Sequence, residues 1–544
     1  MENIINEIKK INYLELDSCH LIIFNISTEL LSGIKEEKNK EKLNIILELL
    51  YALKDKINHE LIIDLLFEKS NEEMPNKISF YQYYLISFYT FMNIYFNQNQ
   101  FIIIRFPQIF QNNNQKINYE YKLELNLLTN KININNNKNQ EFTLYPSKND
   151  LLEIYSQITS QIDTKHLLHN YNLFHYENTC LAGTFDRCHL GHLFLIQSSL
   201  LLSNSHYFIG VCSDDMIKHK GPFSLVQPNF IRKKNIRKII ELNGYKKNCE
   251  YVVESIYDNI DVAGVDKNLN CLIVTTETQK GGALCNEARI KNGLNEVDIC
   301  VINCININLN NVNKISSSIL RKEVLEIINI DKINKLYDIF KDLCSNNLDI
   351  KDINNINFWW HQILDFYSKK WRTYHNLNHI YDFIQLHEKY NNLISKNKNE
   401  FLISIFFHDI IYIPSRTDNE KKSKDLFNKF YEEIKPNNLN KEKVCEYIIK
   451  TENHLLNKNY DDEELNLFMD MDMFIIAKDN WEEYENQIRK EYCFMNDTEY
   501  KNKRINFLEN LNKKEKIFRN KIFYETYEKK AKENINNIIN KINI

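Results

Sequence analysis

Between residues 178 and 304 short apolar runs alternate with amphipathic segments. Thr179–Ala182, Tyr207–Cys212, Tyr251–Ser255, Cys271–Thr275 and Ile299–Cys304 have the length and β-branched content of buried strands, and segments 192–203, 229–243 and 283–293 carry helical spacing. Strands separated by helices predict a doubly wound parallel sheet with right-handed crossovers. The α/β domain is placed at 176–330, with a last helix opening at Ser316–Ser318 and running to about Ile328. Past Asp331 every apolar pattern is helical, in Phe358–Ser368, Leu377–Tyr390, Glu400–His408, Lys421–Phe430, Lys441–Thr451, Trp481–Cys493 and a tail from Glu515. Residues 331–544 are therefore read as a separate all-α domain. Residues 1–175 read as a mixed α/β region, mostly helical (for example from Lys42 and from Tyr81) and then stranded at Phe101–Arg105 and Tyr119–Leu128, between Asn-rich loops. No chemical motif precedes Tyr176, and the aromatic run 80–96 predicts core rather than a binding site.

Glycine sharpens this division. The 544 residues contain ten glycines, nine of them between Gly183 and Gly293, and none follows. Sharp turns and close backbone approach to a ligand are thus expected in the α/β segment alone. A formal net charge of −4 with both signs interspersed gives no footprint for nucleic acid. Twelve cysteines without a C-x-x-C pair read as reduced thiols. The N-terminus lacks a signal-peptide pattern, and no apolar run reaches membrane length, so a cytoplasmic protein with no membrane partner is expected.

The chemistry concentrates in two places. The first is L-A-G-T-F-D-R-C-H-L-G-H, Leu181 to His192, a tight turn between a strand and a helix start, where backbone N–H groups and the helix dipole favour phosphate. It resembles the (T/H)-x-G-H signature of adenylyl- and cytidylyltransferases. K-I-S-S-S-I-L-R (Lys314 to Arg321) is similar to the second signature of that superfamily, and D-D-M-I-K-H-K-G-P-F, Q-P-N-F-I-R and T-T-E-T-Q-K-G-G-A-L-C-N-E-A-R lie between. Together, over Glu177 to Leu325, these blocks resemble the eukaryotic type of phosphopantetheine adenylyltransferase, with its Rossmann-like nucleotidyltransferase fold. The resemblance implies transfer of adenylyl from ATP, accompanied by Mg²⁺, to 4′-phosphopantetheine, the penultimate step of coenzyme A synthesis. It implies His192, assisted by His189, at the phosphates and the pentacovalent transition state, with Thr184 on the acceptor phosphate and N–H groups around Gly183, Thr184 and Phe185. Lys220, with Lys218 as fallback, would bridge the two phosphates. Arg289 and a Gly281–Gly282 turn would hold acceptor and adenine, and Ser316, Ser317, Ser318 and Arg321 the ATP phosphates. Lys280 stands where relatives usually carry arginine, which removes bidentate geometry but not charge. A different acceptor, such as glycerol phosphate or nicotinamide mononucleotide, is the alternative. No glycine follows Gly293, so the P-loop of a fused dephospho-CoA kinase is not expected.

The second place is Y-H-N-L-N-H-I (Tyr374 to Ile380), F-F-H-D-I-I-Y (Phe406 to Tyr412), T-E-N-H (to His454) and F-M-D-M-D-M-F-I-I (Phe468 to Ile476). These blocks resemble the HD superfamily of metal-dependent phosphohydrolases. The resemblance implies His379, His408 and Asp409 as ligands, with Asp472 as the fourth and Asp470 as its alternative. Mixed His/carboxylate ligation suits Mn, Fe, Co, Zn or Mg without choosing among them. His375, four residues before His379 and on its face if both are helical, is similar to the leaving-group acid of cyclic-nucleotide phosphodiesterases. His454 is expected at substrate, at a second metal, or on the surface. A non-catalytic regulatory or scaffold role for this domain is the reading from another class.

Overall fold

In the computed structural model the described residues are 171–544, except 245–248, 303–315, 370, 415, 454–459, 494 and 544, and before residue 171 six strands with positions 85 and 89. Those strands are β1 (His20–Ser27), β2 (Leu61–Glu68), β3 (Ile102–Arg105), β4 (Lys122–Asn126), β5 (Lys131–Asn135) and β6 (Gln140–Thr143), in the order β3-β2-β1-β4-β5-β6. β1 pairs in parallel with β2 and β4, while β4–β5 and β5–β6 are antiparallel. The helical reading of 1–100 is therefore corrected at β1 and β2, whose runs H-L-I-I-F-N-I-S and L-I-I-D-L-L-F-E are too short for periodicity to tell strand from helix. The segment from Lys42 lies outside the described residues. Leu85 and Tyr89 are helical and fully buried, in keeping with an aromatic run that serves as core.

The central domain is a five-stranded parallel sheet in the order β11-β10-β7-β8-β9, built from β7 (Tyr176–Gly183), β8 (Ser203–Cys212), β9 (Glu250–Ile256), β10 (Cys271–Thr275) and β11 (Asp298–Ile302). Helices α1 (Leu190–Leu202), α2 (Asn229–Asn243), the short α3 (Asp261–Val265) and α4 (Gln279–Lys291) form the crossovers, and α5 (Ser317–Ile327) follows the sheet. Continuous apolar strands such as C-L-I-V-T, buried at four of five positions, are what a sheet covered on both faces requires. This is a Rossmann-like, doubly wound α/β fold. Strand order reverses at β7, between β10 and β8, so the loops after β7 and β10 diverge and leave a crevice at the carboxyl ends of the strands.

The chain divides into two compact units, Met1–Arg321 and Lys322–Ile544. The second is helical: α6 (Ile330–Asp342), α7 (Ile353–Tyr367), α8 (Leu377–Lys389), α9 (Lys398–Phe407), α10 (Asn419–Ile434), α11 (Lys441–Lys450), α12 (Glu463–Asp472), α13 (Trp481–Glu491), α14 (Asp497–Asn512) and α15 (Lys521–Asn543). Its core is aromatic. Trp359, Phe401, Phe406, Phe407, Phe430 and Phe468 are all essentially inaccessible, and edge-on pairs such as Trp359–Phe430 fill it at ring separations of 5.3 Å. No helix among the described residues is long and apolar enough to cross a membrane.

Candidate functional site

The crevice of the parallel sheet holds two adjoining cavities of about 480 and 660 Å³ that share Ala182, Gly183, Thr184 and Thr278. The last residues of all five strands reach them: Gly183 both, Thr275 and Ile302 the smaller, Cys212 and Ile256 the larger. The smaller cavity gathers Phe185, His189, His192, Lys220, Ser316–Ser318 and Arg321. Residues as far apart in sequence as Thr184 and Arg321 thus meet at one site.

Local backbone explains the turn. Phe185 and Arg187 adopt φ of 52° and 45°, a strained region for side chains of their size, and the Phe185 ring folds back over Gly183. A Cβ on Gly183 would lie 3.1 Å from that ring. His189 is the N-cap of α1, and its ring stacks on His192 with centroids 4.0 Å apart. A Cβ on Gly191 would meet the His189 ring at 3.2 Å, so glycine here admits the stacked pair. Burial, helped by the nearby charge of Lys220, drives His192 down to about 4, so at neutral pH it is an uncharged imidazole. Lys220 donates from Nζ to Thr184 Oγ1 at 2.7 Å, and burial pulls its pKa down.

Several sequence expectations are displaced. Lys218 is exposed and paired with Asp215 at 2.5 Å, outside both cavities, which leaves Lys220 as the lysine in place. Arg289 is 1% exposed and donates to the carbonyls of Ala263, Asp266 and Asn295 at 2.7–2.9 Å; it fastens α4 to the segments around it and does not line the cavities. Gly281 and Gly282 sit in the first turn of α4 rather than in a separate turn, although both face the larger cavity. Gly282 is small because Ile299 of β11 lies 3.0 Å from where its Cβ would be. Two buried residues were not singled out from sequence. Asp186 pairs with Arg321. Arg232 donates to the carbonyls of Thr184 (2.7 Å) and Gln227 (2.8 Å) and to Asp214 (2.8 Å). Both stand within the quoted motifs, so the motifs themselves were the available signal.

In the second unit His379, His408, Asp409 and Asp472 place one ligand atom each within 4.8 Å of one another. His379 Nε2 lies 3.1 Å from His408 Nε2 and 3.3 Å from Asp472 Oδ1, and His408 Nε2 lies 3.4 Å from Asp409 Oδ2. His408 Nδ1 is 3.0 Å from the Ile405 carbonyl, which fixes the proton on Nδ1 and turns the Nε2 lone pair into the cluster. Two imidazoles and two carboxylates converging in this way fit a divalent first-row ion or Mg²⁺. Asp470 is not in the group. It is fully buried, and its carboxylate accepts the backbone N–H groups of Arg519 at 2.9 Å and Asn520 at 2.6 Å.

A cavity of about 410 Å³ adjoins the cluster, lined by Asp409, Asp472, His375, Glu420 and several tyrosines. His375 is not helical, because Asn376 caps α8 after it. It stacks on Tyr412 at 3.9 Å, and its Nδ1 lies 2.7 Å from Glu491 Oε2. Glu491 Oε1 also accepts the N–H groups of Tyr374 and His375. Burial works against a charged His375, but the Glu491 carboxylate, with Asp409 and Asp472, outweighs it and raises the pKa; burial likewise opposes a charged Glu491 and is outweighed by His375 and the N–H groups. Glu491 lies outside the four blocks singled out in this unit, and its role rests on a partner 116 residues away in the chain. His454 lies outside the described residues.

Residues 180–323 match the family described as Cytidylyltransferase-like. The chain is similar to a phosphopantetheine adenylyltransferase of Thermococcus kodakarensis, 36% identical over 151 residues, which cover 28% of this chain and 88% of the relative. It is also similar to one of Saccharomyces cerevisiae, 28% identical over 25% of this chain and 43% of the relative. A crystal structure of a protein with unknown function from Archaeoglobus fulgidus covers 23% of this chain and 97% of that one at 26% identity, with a TM-score of 0.21. Through its central α/β domain the chain belongs to the phosphopantetheine adenylyltransferase family.

Proposed function

We propose that the α/β domain transfers the adenylyl group of ATP to 4′-phosphopantetheine, giving dephospho-CoA and pyrophosphate. The observation that carries this is the meeting of the stacked His189–His192 pair, the Lys220–Thr184 contact and the Ser316–Arg321 segment in one cavity. An acceptor phosphate oxygen attacks the α-phosphorus, the bond to the bridging oxygen breaks, and pyrophosphate leaves. No covalent intermediate on the protein is needed, so positioning and charge stabilisation supply the rate. Lys220 and Thr184 orient the acceptor phosphate. Uncharged His192 serves as an N–H donor to the phosphates, and the N-terminal ends of α1 and α5 add donors and dipole. ATP would carry Mg²⁺ into the site, where the ion would offset phosphate charge. ATP-dependent formation of dephospho-CoA, lost in His192→Ala, tests the reading; turnover of glycerol phosphate or nicotinamide mononucleotide in its place would transfer the chemistry to another acceptor.

The C-terminal unit is proposed to be an HD-type metal-dependent phosphohydrolase acting on a pantetheine- or nucleotide-related phosphate. His379, His408, Asp409 and Asp472 would hold the ion, which when bound polarises a phosphoryl oxygen and lowers the pKa of a coordinated water. His375, with Glu491 on Nδ1, keeps its other ring nitrogen for delivering a proton to the departing oxygen. Incubation of the full chain with Mn²⁺ and a panel of such phosphates tests this. Turnover of none, together with no bound metal, would favour a scaffold or regulatory unit.

A further inference from the structure

Asp186 has no part in the chemistry set out above, yet it is wholly buried inside the turn between β7 and α1. One carboxylate oxygen accepts the backbone N–H of Gln227 at 2.9 Å, the other is paired with Nη1 of Arg321, and its carbonyl accepts Ser317 Oγ at 2.6 Å. Arg321, 3% exposed, extends the link by donating from Nη2 to Ser318 Oγ at 3.1 Å. A carboxylate on the wall of a polyphosphate cavity would by itself repel the ligand. Here Arg321 cancels its charge, and Asp186 in turn occupies the guanidinium that the phosphates would otherwise draw. What Asp186 supplies is geometry: segments separated by more than a hundred residues, the turn and the start of α5, are fastened to one side chain.

We infer that Asp186 is a positioning residue for ATP, fixing Arg321 and, through it, the Ser316–Ser318 turn in register with the start of α1. The inference rests on the nucleotidyl-transfer reading of this cavity. The competing consequence is shielding, in which Asp186 only withholds Arg321 from the phosphates. The two differ in sign: loss of a positioning carboxylate weakens ATP binding, and loss of a shield strengthens it.

Asp186→Asn separates them in the full chain. Asparagine keeps an acceptor for the Gln227 N–H and a carbonyl for Ser317, and removes the charge that pairs with Arg321. The expected result is an ATP Kd by calorimetry, and a KM for ATP, raised on the order of ten-fold or more, as for loss of a charge-assisted bond, with the KM for the acceptor little changed. An ATP Kd that is unchanged or tighter overturns the inference. Should Asp186→Asn fail to fold, the charge-balanced Asp186→Asn/Arg321→Gln variant decides. Its ATP Kd should equal that of Arg321→Gln alone, and a further large loss would show that Asp186 acts other than through Arg321 and sink the proposal. Wild-type protein that binds ATP without forming dephospho-CoA would refute the acceptor reading and leave these ATP measurements standing.

Discussion

The M-D-M-D sequence offers two aspartates, and their environments predict opposite phenotypes. Asp470 receives the N–H groups of Arg519 and Asn520 at the entry to α15, and Asn520 Oδ1 in turn accepts from Ile522 N at 3.0 Å. Asp470→Ala strands two half-buried N–H donors, each costing about 1–3 kcal/mol, so the C-terminal unit should lose about 3 kcal/mol. For a unit of this size that is a fall in Tm of roughly 6–12 °C, with metal retained. Asp472→Ala should do the reverse, removing one of the four candidate ligands while leaving the packing around Asp470 untouched. Burial pushes Asp470 up to about 7, against the pull of those two N–H groups. The folded unit therefore holds a proton there that the unfolded chain releases from about pH 4 upward, so this group makes stability decline as pH rises from about 4 to 7. Asp470→Ala should flatten that slope. Metal content after exhaustive dialysis, set beside thermal unfolding of the same samples across this pH range, reads both effects. Loss of metal in Asp470→Ala without a change in Tm, or full metal in Asp472→Ala, would refute the assignment.

Lys220→Gln should lower kcat/KM for the acceptor by about 10²–10³, the scale of one lost charge-stabilising donor, and a fall smaller than about five-fold would place the lysine outside the reaction. Glu491→Gln removes the foremost of the groups that raise His375, ahead of Asp409 and Asp472, so a histidine that remains charged above its usual range loses most of that support. The alkaline limb of the phosphohydrolase profile should move to lower pH; the ion pair's stabilising effect, full below about pH 6.5 and lost as pH rises through the folded-state value, should vanish with it. An unmoved limb would exclude His375 as the proton carrier. Arg289→Met should reduce thermal stability by roughly 2–4 kcal/mol through three orphaned carbonyls while leaving the KM values unchanged, and a raised acceptor KM at intact stability would return Arg289 to the binding site.

Much of the central fold is legible because a parallel sheet imposes strong local signals: apolar runs with no polar alternation, glycines only where backbone turns, and helices between. Cys271–Thr275 and Asn229–Asn243 agree with the observed β10 and α2 to the residue. Where local pattern is ambiguous the reading fails. β1 and β2 are eight-residue apolar runs inside sequence with helical spacing, and only pairing with each other and with β3 and β4 makes them strands. Helix α14 escaped notice because its sixteen residues carry only three buried side chains. At the sites, spacing delivers the ligand blocks but not direction. Asp470 and Asp472 stand two positions apart on one helix and so face nearly opposite sides, and a tertiary contact, Asp470 with the backbone at 519–520, decides which is which. The same holds for Arg289, whose motif position suggests a ligand contact while its guanidinium is consumed by three carbonyls. Asp186 and Glu491 act through partners more than a hundred residues away, which no local window contains.

The smaller α/β cavity and the C-terminal cavity would pose opposite electrostatic problems for a phosphate ligand. In the α/β domain the buried carboxylate is already cancelled by Arg321, and Lys220 with two helix N-termini presents positive potential, so nucleotide can bind to the protein as it stands. The C-terminal cavity is lined by Asp409, Asp472, Glu420 and Glu452, while the cations among its described lining residues are engaged, Arg504 by Glu485, Lys503 by Glu499 and His375 by Glu491. Burial, together with Asp409, Glu452 and Asp472, pushes Glu420 up to about 7, as expected of a carboxyl buried beside other carboxylates. A phosphate dianion would be repelled from that wall unless a divalent cation occupied the cluster. Chelation should therefore abolish binding of a phosphate monoester to the C-terminal unit while the α/β domain still binds nucleotide, as measured by calorimetry on one preparation before and after treatment. Monoester binding that survives full removal of metal would mean that the cluster is not what admits phosphate.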